Sequence, residues 1–215
     1  MYPVKVIVIF FVLFPLPGIT IPVLSQNRMS NVLTRRVPAF RVSDDVTSLA
    51  LEKLAQAYGV PIGMEAVSES ATKKIKVEVV AGTVRTALNA IIQADANYKW
   101  EYRDGIVDVF PVSGKNQILE VIIRDFRVDK LNKEEAARAV TELPEVKAKV
   151  EELGLQRRDF RSLPAQPYSS LPRFSLELHN KTLREILDRI VKASGSNYWK
   201  FYRHGDKSEY FSIDL

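Results

Sequence analysis

The chain has 215 residues, 46% of them hydrophobic, enough for two modest cores. Its 31 Lys and Arg outnumber 26 Asp and Glu, a formal charge of +5. That charge is mild and lies in short clusters (Arg35-Arg36, Lys73-Lys74 with Lys76, and Arg157-Arg158 with Arg161), which read as solvated surface, with contact to an anionic envelope surface as the minor alternative; the export signal at the N-terminus argues against a nucleic-acid partner. Cysteine is absent, which excludes a disulfide framework, a thiolate metal site, a thiol nucleophile and the lipidated cysteine of a bacterial lipoprotein.

Lys5 is followed by VIVIFFVLFPLPGITIPVLS, an apolar run ending in small residues. Ser25, with Val23 two positions before it, fits the small-residue cleavage rule, so residues 1–25 read as a signal peptide and the mature chain starts at Gln26. Pro15, Pro17, Gly18 and Pro22 would break a spanning helix in its second half, which favours cleavage over a retained membrane anchor. On either reading the rest of the chain lies beyond the cytoplasm, periplasmic or secreted, and membrane-associated only if the leader is kept.

Residues 26–36 are polar and without period, and read as a frayed arm. A strand is expected over 37–43. Ser43, Asp44 and Asp45 offer N-caps for a helix carrying Val46, Leu49, Ala50, Leu54 and Ala57 on one face and ending near Gly59. A short strand over 60–66, a polar turn over 68–72 and a strand over 73–80 with Ile75, Val77 and Val79 follow. A helix over 83–94 leads into a hairpin in which Tyr98, Trp100 and Tyr102 face one way and Lys99, Glu101 and Arg103 the other. Asp104-Gly105 forms its turn, and a strand over 106–112 returns.

A second unit opens with a strand over 118–128, whose Phe126-Arg127-Val128 echoes Phe40-Arg41-Val42. A helix over 132–142 follows, then Pro144 at a first helical turn and the helical stretch EVKAKVEELGL where the first unit has a short strand. Residues 156–172, with Pro164, Pro167 and Pro172, read as an extended loop. A strand over 173–178, a helix over 182–193 opened by the capping-box pair Thr182 and Glu185, and a hairpin through Gly205 complete the unit.

The two units share a register. VEVVAGTVRTALNAIIQADANYKWEYRDG at 77–105 returns as LELHNKTLREILDRIVKASGSNYWKFYRHG at 176–205 with one inserted residue. The helical stripe Val84, Ala87, Leu88, Ile91 and Ile92 recurs as Leu183, Ile186, Leu187, Ile190 and Val191, and Arg85 recurs as Arg184 on the polar side. Asn97-Tyr98 and Tyr102-Arg103 match Asn197-Tyr198 and Tyr202-Arg203. The expected fold is therefore α+β: two tandem βαββαββ-like modules over 37–114 and 115–215, each a small sheet with two helices on one face, the second carrying a helical and Pro-rich insertion over 143–172. Residues 198–202 alternate poorly, so both faces of that strand are expected to be covered, by the inserted loop or by a contact surface.

The pattern of TSLALEKLAQAYGV, a strand IKVEVV, and TVRTALNAIIQADANYKWEYRDGIVDVF resembles the short N-terminal (STN) domain of secretins and TonB-dependent receptors, over about residues 40–112 and again over 173–215. The resemblance implies an exported module that binds protein in the cell envelope and carries no catalytic machinery. In that family such domains form the secretin ring nearest the inner membrane or dock on a sigma-factor regulator. The chain ends at Leu215 after its last expected strand, so no outer-membrane barrel is expected.

No catalytic, cofactor-binding or metal-ligating residue stands out. The two histidines, His179 and His204, fall at expected loop positions, and His204 takes the turn slot that Asp104 fills in the first unit. H-E-x-x-H, G-x-S-x-G and Gly-rich phosphate loops are missing from the sequence. Asp44-Asp45, Glu134-Glu135 and Glu151-Glu152 sit at expected helix starts or on helical surfaces. Trp100, Tyr102, Trp199 and Phe201 are the aromatic positions to test for binding, against a core role. The expected function is a non-enzymatic cell-envelope interaction protein without cofactor, with a protein partner or a second copy of itself, assisting secretion, transport or envelope signalling. The alternatives are a small exported hydrolase or sugar-binding enzyme, and a membrane-tethered sensor.

Overall fold

The computed structural model describes residues 32–67, 72–157, 171–204 and 210–215. The leader, the arm up to residue 31, most of the polar turn and of the Pro-rich segment, and the tip of the last hairpin with Gly205 lie outside the described residues. The first unit runs β1 Arg36–Val46, α1 Thr47–Tyr58, β2 Ile62–Ala66, β3 Lys74–Thr83, α2 Val84–Ala94, β4 Tyr98–Arg103 and β5 Ile106–Pro111. The second runs β6 Ile122–Leu131, α3 Lys133–Thr141, α4 Pro144–Glu152, β7 Gln156–Arg157, β8 Phe174–Thr182, α5 Leu183–Ser194, β9 Tyr198–His204 and β10 Tyr210–Asp214. The fold is α+β, and α3 with α4 takes the place of α1 in the second round.

Local chemistry sets the element ends. Thr83 caps α2 by accepting the Thr86 N–H at 3.3 Å. Asn132 with Glu135 and Thr182 with Glu185 close capping boxes at α3 and α5. Pro144 opens α4, where its missing N–H costs nothing. Gly59 ends α1 in the left-handed region, and Asp104-Gly105 turns the hairpin with φ of 50° and 82°.

Three local expectations are corrected. Val46 rather than Ser43, Asp44 or Asp45 precedes α1, because β1 continues through a bulge at Asp44 to pair with β3 as far as Lys74. A short strand, β7, does follow the helical insertion and pairs in parallel with β10, as β2 pairs with β5. Residues 32–35 are not a frayed arm. Val32–Thr34 forms a 3-10 turn whose Val32 and Leu33 enter the first core, and the Arg35 carbonyl accepts the Val84 N–H at 3.0 Å.

The second unit repeats even this detail. Ile118 and Leu119 take the places of Val32 and Leu33, and the Val121 carbonyl accepts the Leu183 N–H at 2.9 Å. Asp44 and Lys130 both adopt positive φ, 61° and 50°, and so do Ala81 and Asn180, 55° and 51°. Four side chains outside the glycine class sit in this uncommon region at matched positions of the two ribbons β1–β3 and β6–β8. The duplication therefore extends to backbone torsions.

Each unit encloses its own apolar cluster, one around Leu51, Leu54, Leu88 and Ile91, the other around Ile186, Leu187, Ile190 and Phe211. The sheets, however, are not separate. β4-β5-β2 and β9-β10-β7 join through a parallel β2–β9 pair into one six-stranded sheet, with Gly63 opposite Trp199 and Glu65 opposite Phe201. Strand alternation assigns the two faces. Ile62, Met64, Val107 and Val109 point into the first core, whereas Trp199, Phe201 and Phe211 point into the second. One module's helices thus cover one face of the common sheet and the other module's helices cover the opposite face.

Candidate functional site

Because β9 is shared, both its faces are covered. Tyr198 and Tyr202 pack on the first core, and the Tyr198 hydroxyl donates to the Ser48 carbonyl at 3.1 Å. Trp199 and Phe201 fill the second core. The poor alternation of 198–202 therefore reflects a contact with the first module; the loop over 158–170 lies outside the described residues.

This burial also corrects the repeat register. The sequence match with an inserted residue pairs Tyr98 with Tyr198, but Tyr98 faces its own core while Tyr198 faces its neighbour's. In the structure Trp100 matches Trp199. Each indole N–H reaches a residue eleven positions earlier on the preceding helix, Asn89 Oδ1 at 3.1 Å and Asp188 Oδ1 at 2.8 Å. Each ring also lies beneath an arginine, Arg85 at 5.6 Å and Arg184 at 5.9 Å. A one-residue slip exchanges the faces of a strand, and the structural match needs no inserted residue here, since α2 and α5 each begin 16 residues before their tryptophan.

The two copies of this Arg, Asn or Asp, and Trp group differ in surroundings. Arg85 and Asn89 are exposed and Trp100 is half-buried. Arg184 and Trp199 are fully buried, which overturns the placement of Arg184 on a polar face. The first module supplies the cover. Trp199 lies against Gly63, where a Cβ would collide with the indole. Glu65 pairs with Arg184 Nη2 and accepts the Asn116 N–H at 2.7 Å. Glu120 accepts from Arg184 Nε at 2.8 Å, and the Asp108 carboxylate lies 3.9 Å from Nη1 and 3.6 Å from Arg103.

Three carboxylates therefore pair with two guanidinium groups at the junction, and a fourth, Asp188, is held beside them by the Trp199 N–H. Burial pushes the Glu65 and Asp108 carboxyls above their ordinary range, against the pull of Arg184. Burial, and then the Asp108 charge, pushes Asp188 up to about 7, with the Trp199 N–H and Arg184 pulling the other way. For Arg184 burial opposes the charge but is outweighed by Glu65 and Glu120, which hold it above its usual value. Neither Asp108 oxygen has a hydrogen-bond partner among the described residues, so attraction across 3.6 to 3.9 Å holds it.

A cleft of about 550 Å³ borders the junction, lined by Glu65, Asn97, Lys115, Asn116, Phe201 and Arg203 among others. Both Glu65 oxygens are already engaged by Arg184 and Asn116, so this carboxylate is committed to the junction.

No protein-family model and no curated protein matches the chain. Among the described residues no cluster of His, Asp and Glu could hold a metal ion, and no helix is long and apolar enough to cross a membrane.

Of the aromatic positions chosen for testing, Trp199 and Phe201 are core, while Trp100 and Tyr102 pack only partly on the first core. His179 is not in a loop: it lies in β8, exposed, with Nδ1 2.7 Å from Asp125 Oδ1 across the ribbon. His204 ends β9. The junction residues Glu65, Asp108, Arg184 and Asp188 were not singled out by motif. The signal was an acid in a run such as IGMEA or IVDVF, where every other side chain is apolar or small.

Proposed function

We propose that this chain is an exported, non-enzymatic protein-interaction module of the cell envelope, built from two STN-like units and serving secretion, transport or envelope signalling. The observation that carries this reading is the β2–β9 pair, in which one unit already binds another by adding its strand to an open sheet edge. The repeated βαββαββ order and the matched ribbon bulges support kinship with a family of docking domains. The junction carboxylates support it too, since their charges are spent on Arg184 and Arg103 inside the protein. The test is to express the full chain in a host with a two-membrane envelope, fractionate the cells, sequence the N-terminus and cross-link in place. A mature chain starting at Gln26 outside the cytoplasm and cross-linked to a defined protein is the expected result. A cytoplasmic chain, or hydrolysis of an envelope polymer by the pure protein, would overturn it.

A further inference from the structure

β4 lies at the end of the six-stranded sheet, with β5 as its one strand neighbour among the described residues. Its counterpart β9 has the same edge filled by β2. The filled copy defines what the edge takes: a strand running parallel to it, a glycine opposite the tryptophan where a side chain would collide with the indole, and an acid two residues on that reaches the arginine above the ring. In the first module no strand among the described residues covers the receiving group. The Arg85 guanidinium lies over Trp100, the Trp100 N–H is fixed by Asn89, and among the described residues no carboxylate pairs with Arg85.

We infer that the β4 edge with Arg85, Asn89 and Trp100 is a docking site for an extended segment of another protein. That segment would pair in parallel with β4 and present a small residue opposite Trp100 and an acid opposite Tyr102, in the pattern of Gly63 and Glu65. This rests on the protein-binding reading above and adds the surface and the chemistry of the partner. A second copy of the chain fits less well. The strand it would offer, at the far end of the sheet, is β7, whose described part is two residues long against five for β2, so it offers a shorter ladder to β4.

The probe is a labelled peptide of the chain's own residues 60–67, VPIGMEAV, titrated into the purified full chain. Saturable binding is expected, weakened roughly tenfold or more by Arg85→Glu, by Trp100→Ala, or by valine in place of the peptide's glycine. A peptide with lysine in place of its glutamate should bind Arg85→Glu better than the parent peptide does. Arg85 and Asn89 are exposed, so the fold of Arg85→Glu is checked by an unchanged circular dichroism melt. No saturable binding, or binding indifferent to Arg85→Glu, overturns the site. Self-association of the wild-type chain that Trp100→Ala abolishes overturns the occupant named. The two levels separate in cells. If cross-linking captures a protein partner that Arg85→Glu retains, the docking site falls and the protein-binding reading stands; if the wild-type chain captures none, both fall.

Discussion

Arg85 and Arg184 occupy the same point of equivalent helices and stack on equivalent tryptophans, yet one is exposed and the other fully sealed. Their substitutions should differ accordingly. Arg184→Ala leaves Glu65 and Asp108 buried without their cation and is expected to cost about 3–5 kcal/mol. Arg85→Ala loses a solvent-screened stacking contact, worth about 0.5–1 kcal/mol. Urea denaturation of both variants measures the contrast, and equal losses would contradict the burial difference.

Gly63 is the one position of β2 where the neighbouring module leaves room for no side chain. Gly63→Val forces the Trp199 indole out of its place and is expected to destabilise by about 1–3 kcal/mol or more. The near-ultraviolet circular dichroism of the tryptophans should weaken in the same variant. Retention of both stability and the tryptophan signal would show that the indole does not rest on Gly63.

Much of this architecture could be read in advance, and the failures have a common cause. Stripes such as Val84, Leu88 and Ile91, the caps at Thr182 and Gly59 and the Asp104-Gly105 turn are local, so chain order reveals them. The facing of β9 depends on a partner strand far away in sequence. The sequence match of Tyr98 with Tyr198 follows letters, while the structure follows the indole N–H contacts of Trp100 and Trp199. Arg184 looked polar for the same reason: its helix has a solvent face in isolation and loses it only when the first module's sheet arrives. Glu65 and Asp108 carried a weak signal as acids inside apolar strands, but which cation answers them is a tertiary fact.

Asp188 sets a pH dependence with a definite sign. Its folded-state value of about 7 lies above the ordinary ~3.9, so the folded protein holds a proton there that the unfolded chain has released. Stability therefore falls as pH rises through the window from about 4 to about 7, by up to ~1.4 kcal/mol per unit. Asp108 and Arg103 from the first module, with Arg184 and the Trp199 N–H from the second, are the groups that face it. Asp188→Asn keeps an acceptor for the Trp199 N–H, as Asn89 does for Trp100, and removes the titration. The variant is expected to gain stability over the parent at pH 8 and little at pH 5. A difference between the two proteins that stays constant from pH 5 to pH 8 would contradict the assignment.

Two cores with one sheet between them should unfold as one unit. Tyr198 of the second module is part of the first core, and Arg184 of the second takes Glu65 and Asp108 of the first as its counter-ions. If the first module unfolded alone, β9 would lose its parallel partner and Arg184 two of its three carboxylates, costs of several kcal/mol that fall on the module left standing. A single thermal transition is expected, with tryptophan fluorescence, far-ultraviolet circular dichroism and calorimetry coincident and with calorimetric and van't Hoff enthalpies equal. Arg184→Ala should loosen this coupling and broaden the transition or divide it in two. Separate transitions in the wild-type chain would mean that the β2–β9 junction contributes little, and the template for the β4 edge would lose its support with it.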